Sequence, residues 1–288
     1  MTVGPVGVSW ALRDAAARLG EVSDTARLDA ELLMAEALGV TRSDLLLRRM
    51  SDATPENFEG LVERRLKHEP VAQIVGHKEF YGREFLVGRA VLTPRADSET
   101  IVQAALEAVP SPTRILDLGT GSGALLLTLL AERPPARGIG IDASAAALEV
   151  ASANAAALGL AGRAQMLDRD WNQPGWCDDL GRFELIVANP PYVEESADLA
   201  RSVRDYEPGE ALFAGPEGLD AYRALIPQLS ALLAPEGVAV LEIGATQAEQ
   251  VAQLAADAGF SSELRRDLAN RPRALILRIR LGKGPRSG

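Results

Sequence analysis

Apolar side chains recur at helical spacing through the first part of the chain. From residue 8 to about residue 68 they fall at intervals of three and four, which is typical of helices that bury one face. Gly20 and Gly39 follow two of these stretches and predict helix ends. Residues 41–50 form a third predicted helical segment, and Thr54 and Pro55 predict the start of a fourth helix. The predicted buried residues of this all-helical domain are Trp10, Leu12, Ala15, Ala16 and Leu19 in the first helix and Leu28, Leu32, Leu33, Ala35 and Leu38 in the second.

The pattern changes after residue 70. Residues 71–93 contain short apolar runs separated by three glycines, which predicts a hairpin or a connector. A helix capped by Asp97 or Ser98 is predicted to follow and to run to about Val109. We therefore predict a helical domain at 1–70, a connector hairpin at 71–93 and a second domain at 94–288.

Strands and helices alternate in the second domain. The predicted strands are RILDL, RGIGID, AQMLD, FELIVA, GVAVLEI and RALILRI. The last three have the β-branched and leucine content of strands that are buried on both faces. This alternation predicts an α/β fold with a doubly wound, mostly parallel sheet of the Rossmann-like kind.

Composition narrows the class of protein further. The chain has 288 residues, of which 47% are hydrophobic and 24% charged, as in ordinary folded proteins. One cysteine (Cys177) and two histidines (His68 and His77) are too few for a disulfide framework or a zinc site, so we predict no metal centre. Neither a signal peptide nor about 18 consecutive apolar residues is found, so we expect a cytoplasmic protein with no membrane association. The net charge of −10 disfavours binding to a phosphate backbone.

A glycine loop follows the first predicted strand of the second domain. The sequence from Asp117 to Ala124, Asp-Leu-Gly-Thr-Gly-Ser-Gly-Ala, permits a tight turn and close approach of a ligand to the N–H groups of a helix start. Gly119, Gly121 and Ala124 also match a loose dinucleotide fingerprint. Asp142 lies 23 residues after Gly119, where a ribose-binding carboxylate of a nicotinamide enzyme would lie. The loop alone is compatible with a nicotinamide cofactor and with S-adenosylmethionine.

Carboxylates at the ends of two strands favour S-adenosylmethionine, and a third carboxylate suits its adenine. Asp117 precedes the first glycine, where it can approach a cationic amino-acid group but would gain little beside a pyrophosphate. Asp142 can accept hydrogen bonds from both hydroxyls of a ribose, although it could also cap the next helix. Asp170 can accept from the exocyclic amine of an adenine, and the neighbouring Trp171 can form an apolar wall. We therefore predict that S-adenosylmethionine is the cofactor.

The tetrapeptide Asn189-Pro190-Pro191-Tyr192 is the most specific motif. It directly follows the FELIVA strand, and ligands of open α/β sheets bind beyond the carboxyl ends of strands, so it should face the glycine loop's crevice. The prolines restrict the backbone that carries Asn189. The Asn189 side-chain oxygen and the Pro190 carbonyl can then accept the two N–H bonds of a planar NH₂ group and orient its nitrogen for methylation. Tyr192 could pack on that group and exclude water.

The order of these motifs resembles that of the bacterial glutamine methyltransferases that modify class I peptide-chain release factors. EPVAQIVGHKEFYGREF and LTPRADSE, which precede the glycine loop, extend the resemblance over nearly the whole chain. The resemblance implies methyl transfer from S-adenosylmethionine to the side-chain amide of the glutamine in a release factor's Gly-Gly-Gln motif. It assigns the cofactor loop to Gly119, Thr120, Gly121, Ser122 and Gly123, the ribose carboxylate to Asp142, the adenine-side aromatic to Trp171 and the glutamine-orienting motif to Asn189, Pro190, Pro191 and Tyr192.

Two positions depart from that family's pattern. Ala96 stands where family members commonly have proline, and Gln73 where they have an aromatic residue. Other functions share parts of the motif set: glutamine methylation of a large-subunit ribosomal protein, amine methylation of nucleic acid, nicotinamide-dependent oxidation, and cofactor binding without catalysis. We expect a monomer that modifies a release factor and has no direct nucleic-acid substrate.

Overall fold

The computed structural model describes residues 7–280, which divide into two compact units. The helical unit contains residues 7–77 together with residues 199–206. The sheet unit contains residues 78–198 and 207–280. The segment predicted as a connector is divided between them, because its first helix belongs to the helical unit and most of its hairpin to the sheet unit. No helix within residues 7–280 is long and apolar enough to cross a membrane.

Six helices form the helical unit. They are α1 (Val8–Leu19), α2 (Ala26–Leu38), α3 (Arg42–Arg48), α4 (Phe58–Leu66), α5 (Val71–Val75) and α9 (Arg201–Arg204). A core of leucine, valine and alanine side chains from α1, α2 and α4, with Phe58, fills the space between the first five helices. Tyr206 ties the later segment to this unit, because Gln73 Nε2 donates to the Tyr206 carbonyl (3.0 Å) and the Tyr206 hydroxyl donates to the Lys67 carbonyl (2.8 Å).

Three of the predicted core positions in this unit are wrong. Trp10, Leu28 and Leu32 are 55%, 40% and 36% exposed. In α2 the buried residues include Asp29 and Glu31 as well as apolar side chains, and Asp29 is paired with Arg65 (2.8 Å). This buried ion pair shares the face with Leu33 and Ala35, which are buried as predicted, so the apolar pattern places the buried face of α2 only in part.

The predicted start of the fourth helix is also wrong. Pro55 lies in a turn in which the Phe58 N–H donates to its carbonyl (3.2 Å), and α4 begins only at Phe58. In the sheet unit, Ser98 occupies the N-cap position of the helix after the connector, as predicted, but forms no capping hydrogen bond through its side chain. Asp97 is paired with Arg273 (2.9 Å).

A seven-stranded sheet forms the centre of the sheet unit. The strands are β3 (Arg114–Leu118), β4 (Arg137–Asp142), β5 (Ala164–Asp168), β6 (Phe183–Ala188), β7 (Leu233–Glu242), β8 (Phe260–Arg266) and β9 (Pro272–Ile279). Their order is β5-β4-β3-β6-β7-β9-β8. The first five strands are parallel to one another, and β9 is antiparallel to both β7 and β8. The doubly wound, mostly parallel sheet is therefore confirmed, and each predicted strand is present.

The remaining elements surround this sheet. A separate hairpin contains β1 (His77–Phe80) and β2 (Arg83–Leu86). The helices are α6 (Glu99–Ala108), α7 (Ala124–Glu132), α8 (Ala145–Ala157), α10 (Asp220–Leu225), α11 (Leu229–Leu232) and α12 (Ala248–Asp257), with 3₁₀ turns at Ala96–Ser98, Gly209–Ala211 and Ile226–Gln228.

The order in which the chain adds strands to the sheet reverses between β3 and β6. After β3 the next strands are added on one side, and β6 begins the other side. In open α/β sheets this switch point opens a crevice beyond the carboxyl ends of the strands, where ligands bind. The glycine loop follows β3 and the Asn-Pro-Pro-Tyr turn follows β6, so both motifs lie at this crevice.

Candidate active site

A cleft of about 510 Å³ occupies the switch point. Its wall on the sheet side consists of the loops after β3, β4, β5 and β6. The sequence-predicted site residues that line it are Gly119, Thr120, Gly121, Ser122, Asp142, Asp170, Trp171, Asn189 and Pro191. Asp117, Gly123, Pro190 and Tyr192 are not among the lining residues and lie behind this surface.

The glycine loop has backbone conformations that favour glycine. Gly119, Gly121 and Gly123 have φ angles of 74°, 54° and 81°, in the left-handed region where a side chain is strained. The Thr120 N–H donates to the Ile141 carbonyl (2.8 Å), which fixes the loop to the end of β4. These backbone angles and this hydrogen bond therefore define the shape of the loop.

Asp117 is buried beneath this loop. It is 1% exposed, and its Oδ2 accepts from the Thr120 hydroxyl (2.7 Å). Its Oδ1 is buried without a hydrogen-bond partner among residues 7–280. Burial raises the pKa of Asp117 to about 7, against the Thr120 hydrogen bond, which lowers it. A buried carboxylate oxygen without a partner suits a cationic hydrogen-bond donor in the adjacent cleft.

Asp142 lies at the end of β4 and lines the cleft. Its Oδ2 accepts from the Gly121 N–H (2.9 Å), and its Oδ1 accepts from the Ser144 N–H (3.0 Å). Ser144, not Asp142, is the residue whose side chain caps α8, by accepting from Ala147 (3.2 Å). Each carboxylate oxygen has a second lone pair, so two ligand hydroxyls can still be accepted.

Trp171 and Asp170 form the part of the cleft beyond β5. A Cβ atom at Gly119 would lie 3.3 Å from the Trp171 ring, so the indole packs directly against the first glycine of the loop. Asp170 Oδ1 accepts from the Asn172 N–H (2.8 Å) in a local turn, while its Oδ2 makes only a long contact with Gln173 (3.5 Å). Both residues line the cleft, so this part of it has a flat aromatic wall with a carboxylate at its edge.

The Asn-Pro-Pro-Tyr turn brings two of its residues to the cleft. Asn189 and Pro191 line it, and Pro190 is buried. The Tyr192 ring packs against the sheet core, and its hydroxyl donates to Glu242 Oε1 (3.3 Å). The pKa of Tyr192 is raised to about 12, mainly by burial, so the hydroxyl keeps its proton at neutral pH.

The sequence patterns did not identify the opposite wall of the cleft. It consists of residues 90–95 with Ser98 and of residues 208–215 apart from Gly209 and Leu212. Arg95 Nη2 pairs there with Glu207 Oε2 (3.1 Å). Burial raises the pKa of Glu207, against the Arg95 charge, which lowers it. Only the LTPRADSE similarity marks part of this wall in the sequence, since residues 207–215 carry no periodic pattern.

The sequence patterns also did not identify Asn154. It is buried in α8, where its Nδ2 donates to the carbonyls of Leu86 (3.0 Å) and Ser122 (2.9 Å) and its Oδ1 accepts from the Leu86 N–H (2.7 Å). It thus joins the hairpin to the glycine loop. The available signal was a single asparagine within an alanine-rich helix.

Comparison with known proteins identifies families and proteins to which this chain is similar. Residues 11–76 match the family described as PrmC N-terminal domain, and residues 111–265 match a methyltransferase domain. A release factor glutamine methyltransferase of Rhodospirillum rubrum is 44% identical over 88% of this chain and 79% of its own length. One of Cereibacter sphaeroides is 44% identical over 93% of this chain and 97% of its own. A solved structure of ribosomal protein L11 methylase from Lactobacillus delbrueckii subsp. bulgaricus is 22% identical, with a TM-score of 0.48, over 65% of this chain and 81% of that chain.

The mostly parallel seven-stranded sheet and the methyltransferase-domain match define the class of protein, an S-adenosylmethionine-dependent methyltransferase. At 44% identity over most of both chains, the similarity is specific enough to name a family within that class. The chain belongs to the release factor glutamine methyltransferase family.

Proposed function

We propose that this enzyme transfers a methyl group from S-adenosylmethionine to the side-chain amide nitrogen of the glutamine in the Gly-Gly-Gln motif of class I peptide-chain release factors. One observation carries the proposal: Asn189, which follows β6, lines the same cleft as the glycine loop that follows β3. An amide-orienting group and a cofactor loop therefore share one crevice. The names of the relatives support a glutamine of a release factor as the acceptor.

The residues around the glycine loop fit S-adenosylmethionine. Asp117 offers a buried oxygen without a partner to a cationic amino group, and Asp142 offers its remaining lone pairs to ribose hydroxyls. Trp171 supplies a flat wall for an adenine, and Asp170 an acceptor for its amine. When bound, this cofactor supplies an electrophilic methyl group on a sulfonium.

Asn189 and Pro190 orient the acceptor. The nitrogen lone pair of a glutamine amide is delocalised, so the nitrogen is a poor nucleophile and needs exact placement. The Asn189 side-chain oxygen and the Pro190 carbonyl accept its two N–H bonds and stabilise the positive charge that develops as the N–C bond forms. Pro191 restricts the backbone of the turn, and Tyr192 completes it.

The same proposal covers the partner and the setting. The helical unit contributes no residue to the cleft, and its exposed apolar side chains Trp10, Leu28, Leu32 and Leu47 support a role in recognising the release factor. The net charge of −10 supports a protein substrate over nucleic acid. We expect the enzyme to act as a monomer in the cytoplasm.

A competition assay tests the proposal. Purified enzyme and methyl-labelled S-adenosylmethionine are offered release factor, ribosomal proteins, total RNA and duplex DNA in parallel, and the modified residue is mapped by mass spectrometry. We expect label on the Gly-Gly-Gln glutamine. Asparagine at that position displaces the nitrogen by about 1 Å and should lower the rate roughly 100-fold. Glutamate cannot donate to Asn189 and should not react. Label found mainly in nucleic acid or in a ribosomal protein would overturn the assignment.

A further inference from the structure

A buried carboxylate that the proposed reaction does not use lies directly behind the Asn-Pro-Pro-Tyr turn. Glu242 ends β7 and is 1% exposed. A carboxylate in such a position is expensive to bury unless it is paired and hydrogen-bonded. Its surroundings therefore indicate what it does.

The Glu242 carboxylate interacts with two side-chain hydroxyls, those of Tyr192 and Ser98. Its Oε1 accepts from the Tyr192 hydroxyl at 3.3 Å and lies 4.0 Å from Arg273 Nη1. Its Oε2 is buried with no hydrogen-bond partner in residues 7–280. Arg273 is already held by Asp97 (2.9 Å) and Asp267 (3.3 Å), so Glu242 is not needed to neutralise it.

Tyr192 is also held at its backbone. Gln247 Nε2 donates to the Tyr192 carbonyl (3.1 Å), and Gln247 Oε1 accepts from the Gly244 N–H (3.1 Å). A Cβ atom at Gly218 would lie 2.3 Å from the Tyr192 carbonyl oxygen, so only glycine permits this approach. The ring and the backbone of Tyr192 are thus fixed at opposite ends by Glu242 and Gln247.

The chain beyond the turn is fixed as well. The Val193 N–H donates to the Leu212 carbonyl (2.8 Å), and the Ala214 N–H donates to the Val193 carbonyl (2.9 Å). Before the turn, β6 fixes the chain as far as Ala188. Asn189 and Pro190 lie between these anchors, and Tyr192 is the anchor nearest to them on the downstream side.

We propose that Glu242 is a positioning residue for methyl transfer: by accepting the Tyr192 hydroxyl, it fixes the turn that presents the Asn189 and Pro190 oxygens to the amide. This inference rests on the proposed function of that turn. A carboxylate with a purely structural role would be replaced by an apolar side chain of similar volume without a specific effect on the rate.

Four single variants test the inference, in steady-state methylation of intact release factor and in calorimetric binding of S-adenosylmethionine. Tyr192→Phe keeps the ring and removes the hydroxyl. Glu242→Leu removes the acceptor, and Glu242→Gln keeps an acceptor oxygen. Tyr222→Phe is the matched control, because it also removes one tyrosine hydroxyl. The Tyr222 hydroxyl donates to the Glu242 backbone carbonyl (2.8 Å), not to the carboxylate that accepts from Tyr192.

We expect Tyr192→Phe and Glu242→Leu each to lower kcat about tenfold, the effect of one lost hydrogen bond to a carboxylate, with KM and cofactor affinity unchanged within about twofold. Glu242→Gln should retain kcat within about threefold, and Tyr222→Phe should match the wild type. The double variant Tyr192→Phe/Glu242→Leu should be no slower than the slower single variant, because both changes remove one interaction.

Each contrary result has a distinct meaning. Wild-type kcat in Tyr192→Phe, or fully additive losses in the double variant, would overturn the positioning role while leaving the proposed function standing. If Glu242→Leu does not fold, the comparison of Tyr192→Phe with Tyr222→Phe decides, and equal rates overturn the inference. A wild-type enzyme that leaves the release factor unmodified would overturn the proposed function and this inference with it.

Discussion

The substitution Asp117→Asn should stabilise the cofactor-free protein at alkaline pH while weakening its affinity for the cofactor. Asp117 is buried, with one oxygen bonded to Thr120 and the other without a partner in residues 7–280. Burial is the main reason why the pKa of this carboxyl rises from 3.8 to about 7, and the charge of Asp142 raises it further. Asparagine has the same shape, can still accept from Thr120 and carries no charge.

The direction of the effect follows from proton linkage. Because the folded pKa lies above the unfolded value of 3.8, the folded state retains this proton over a range in which the unfolded chain has lost it. The contribution of Asp117 to stability is therefore fully present below about pH 4 and is lost as the pH rises to about 7. A rise of about three pKa units corresponds to a loss of up to roughly 4 kcal/mol at pH 8.

Urea unfolding of the cofactor-free protein between pH 5 and pH 8 measures this loss. The free energy of unfolding of Asp117→Asn should exceed that of the wild type by an amount that grows with pH and reaches a few kcal/mol at pH 8. Asp168→Asn is the matched control, because Asp168 ends strand β5 of the same sheet but is exposed. That variant should follow the wild-type pH dependence.

Cofactor binding should respond in the opposite direction. If Asp117 pairs with a cationic amino group, wild-type affinity for S-adenosylmethionine should rise as the pH passes through about 7, and Asp117→Asn should lose both affinity and this pH dependence. An Asp117→Asn stability curve that runs parallel to the wild-type curve from pH 5 to pH 8 would refute the reasoning about burial. Unchanged cofactor affinity in this variant would refute the pairing.

Two further substitutions separate cofactor binding from acceptor orientation. Asp142→Ala removes an acceptor for ribose hydroxyls and also frees the Gly121 N–H, so the calorimetric Kd for S-adenosylmethionine should rise about 100-fold; an unchanged Kd would show that Asp142 only fixes the loop. Asn189→Ala should leave that Kd nearly unchanged and lower kcat roughly 100-fold, because its hydrogen bonds matter most as charge develops on the nitrogen. Asn189→Asp should be impaired as well, and wild-type turnover by either variant would contradict the orienting role.

Strand positions and motif positions in the sheet unit could be predicted from sequence because burial on both faces and ligand chemistry each constrain residue type. FELIVA is almost uniformly apolar because β6 lies between β3 and β7. The edge strand β8, FSSELRR, was missed because it has a neighbour on one side only and its residues are largely exposed, so its sequence lacks that signal.

Interactions between residues distant in sequence could not be predicted from local pattern. Whether Leu28 faces the core depends on the Asp29–Arg65 pair, whose partners lie on different helices. Asn154 and Glu242 likewise have roles only because of what packs against them, since asparagine and glutamate are ordinary surface residues by type. The cleft wall at 208–215 is defined by tertiary contacts alone.

The helical unit includes residues 199–206, which are synthesised long after residues 7–77. Small domains commonly fold as they leave the ribosome, with the N-terminal one folding first. Here the hydrogen bonds that join Gln73 and Lys67 to Tyr206 cannot form until most of the parallel strands have been synthesised. The helical unit therefore completes its folding only after much of the sheet unit is available to fold. The entropic cost of closing so long a loop grows only with the logarithm of its length. The final contacts of the helical unit nevertheless depend on correct folding of the sheet between them.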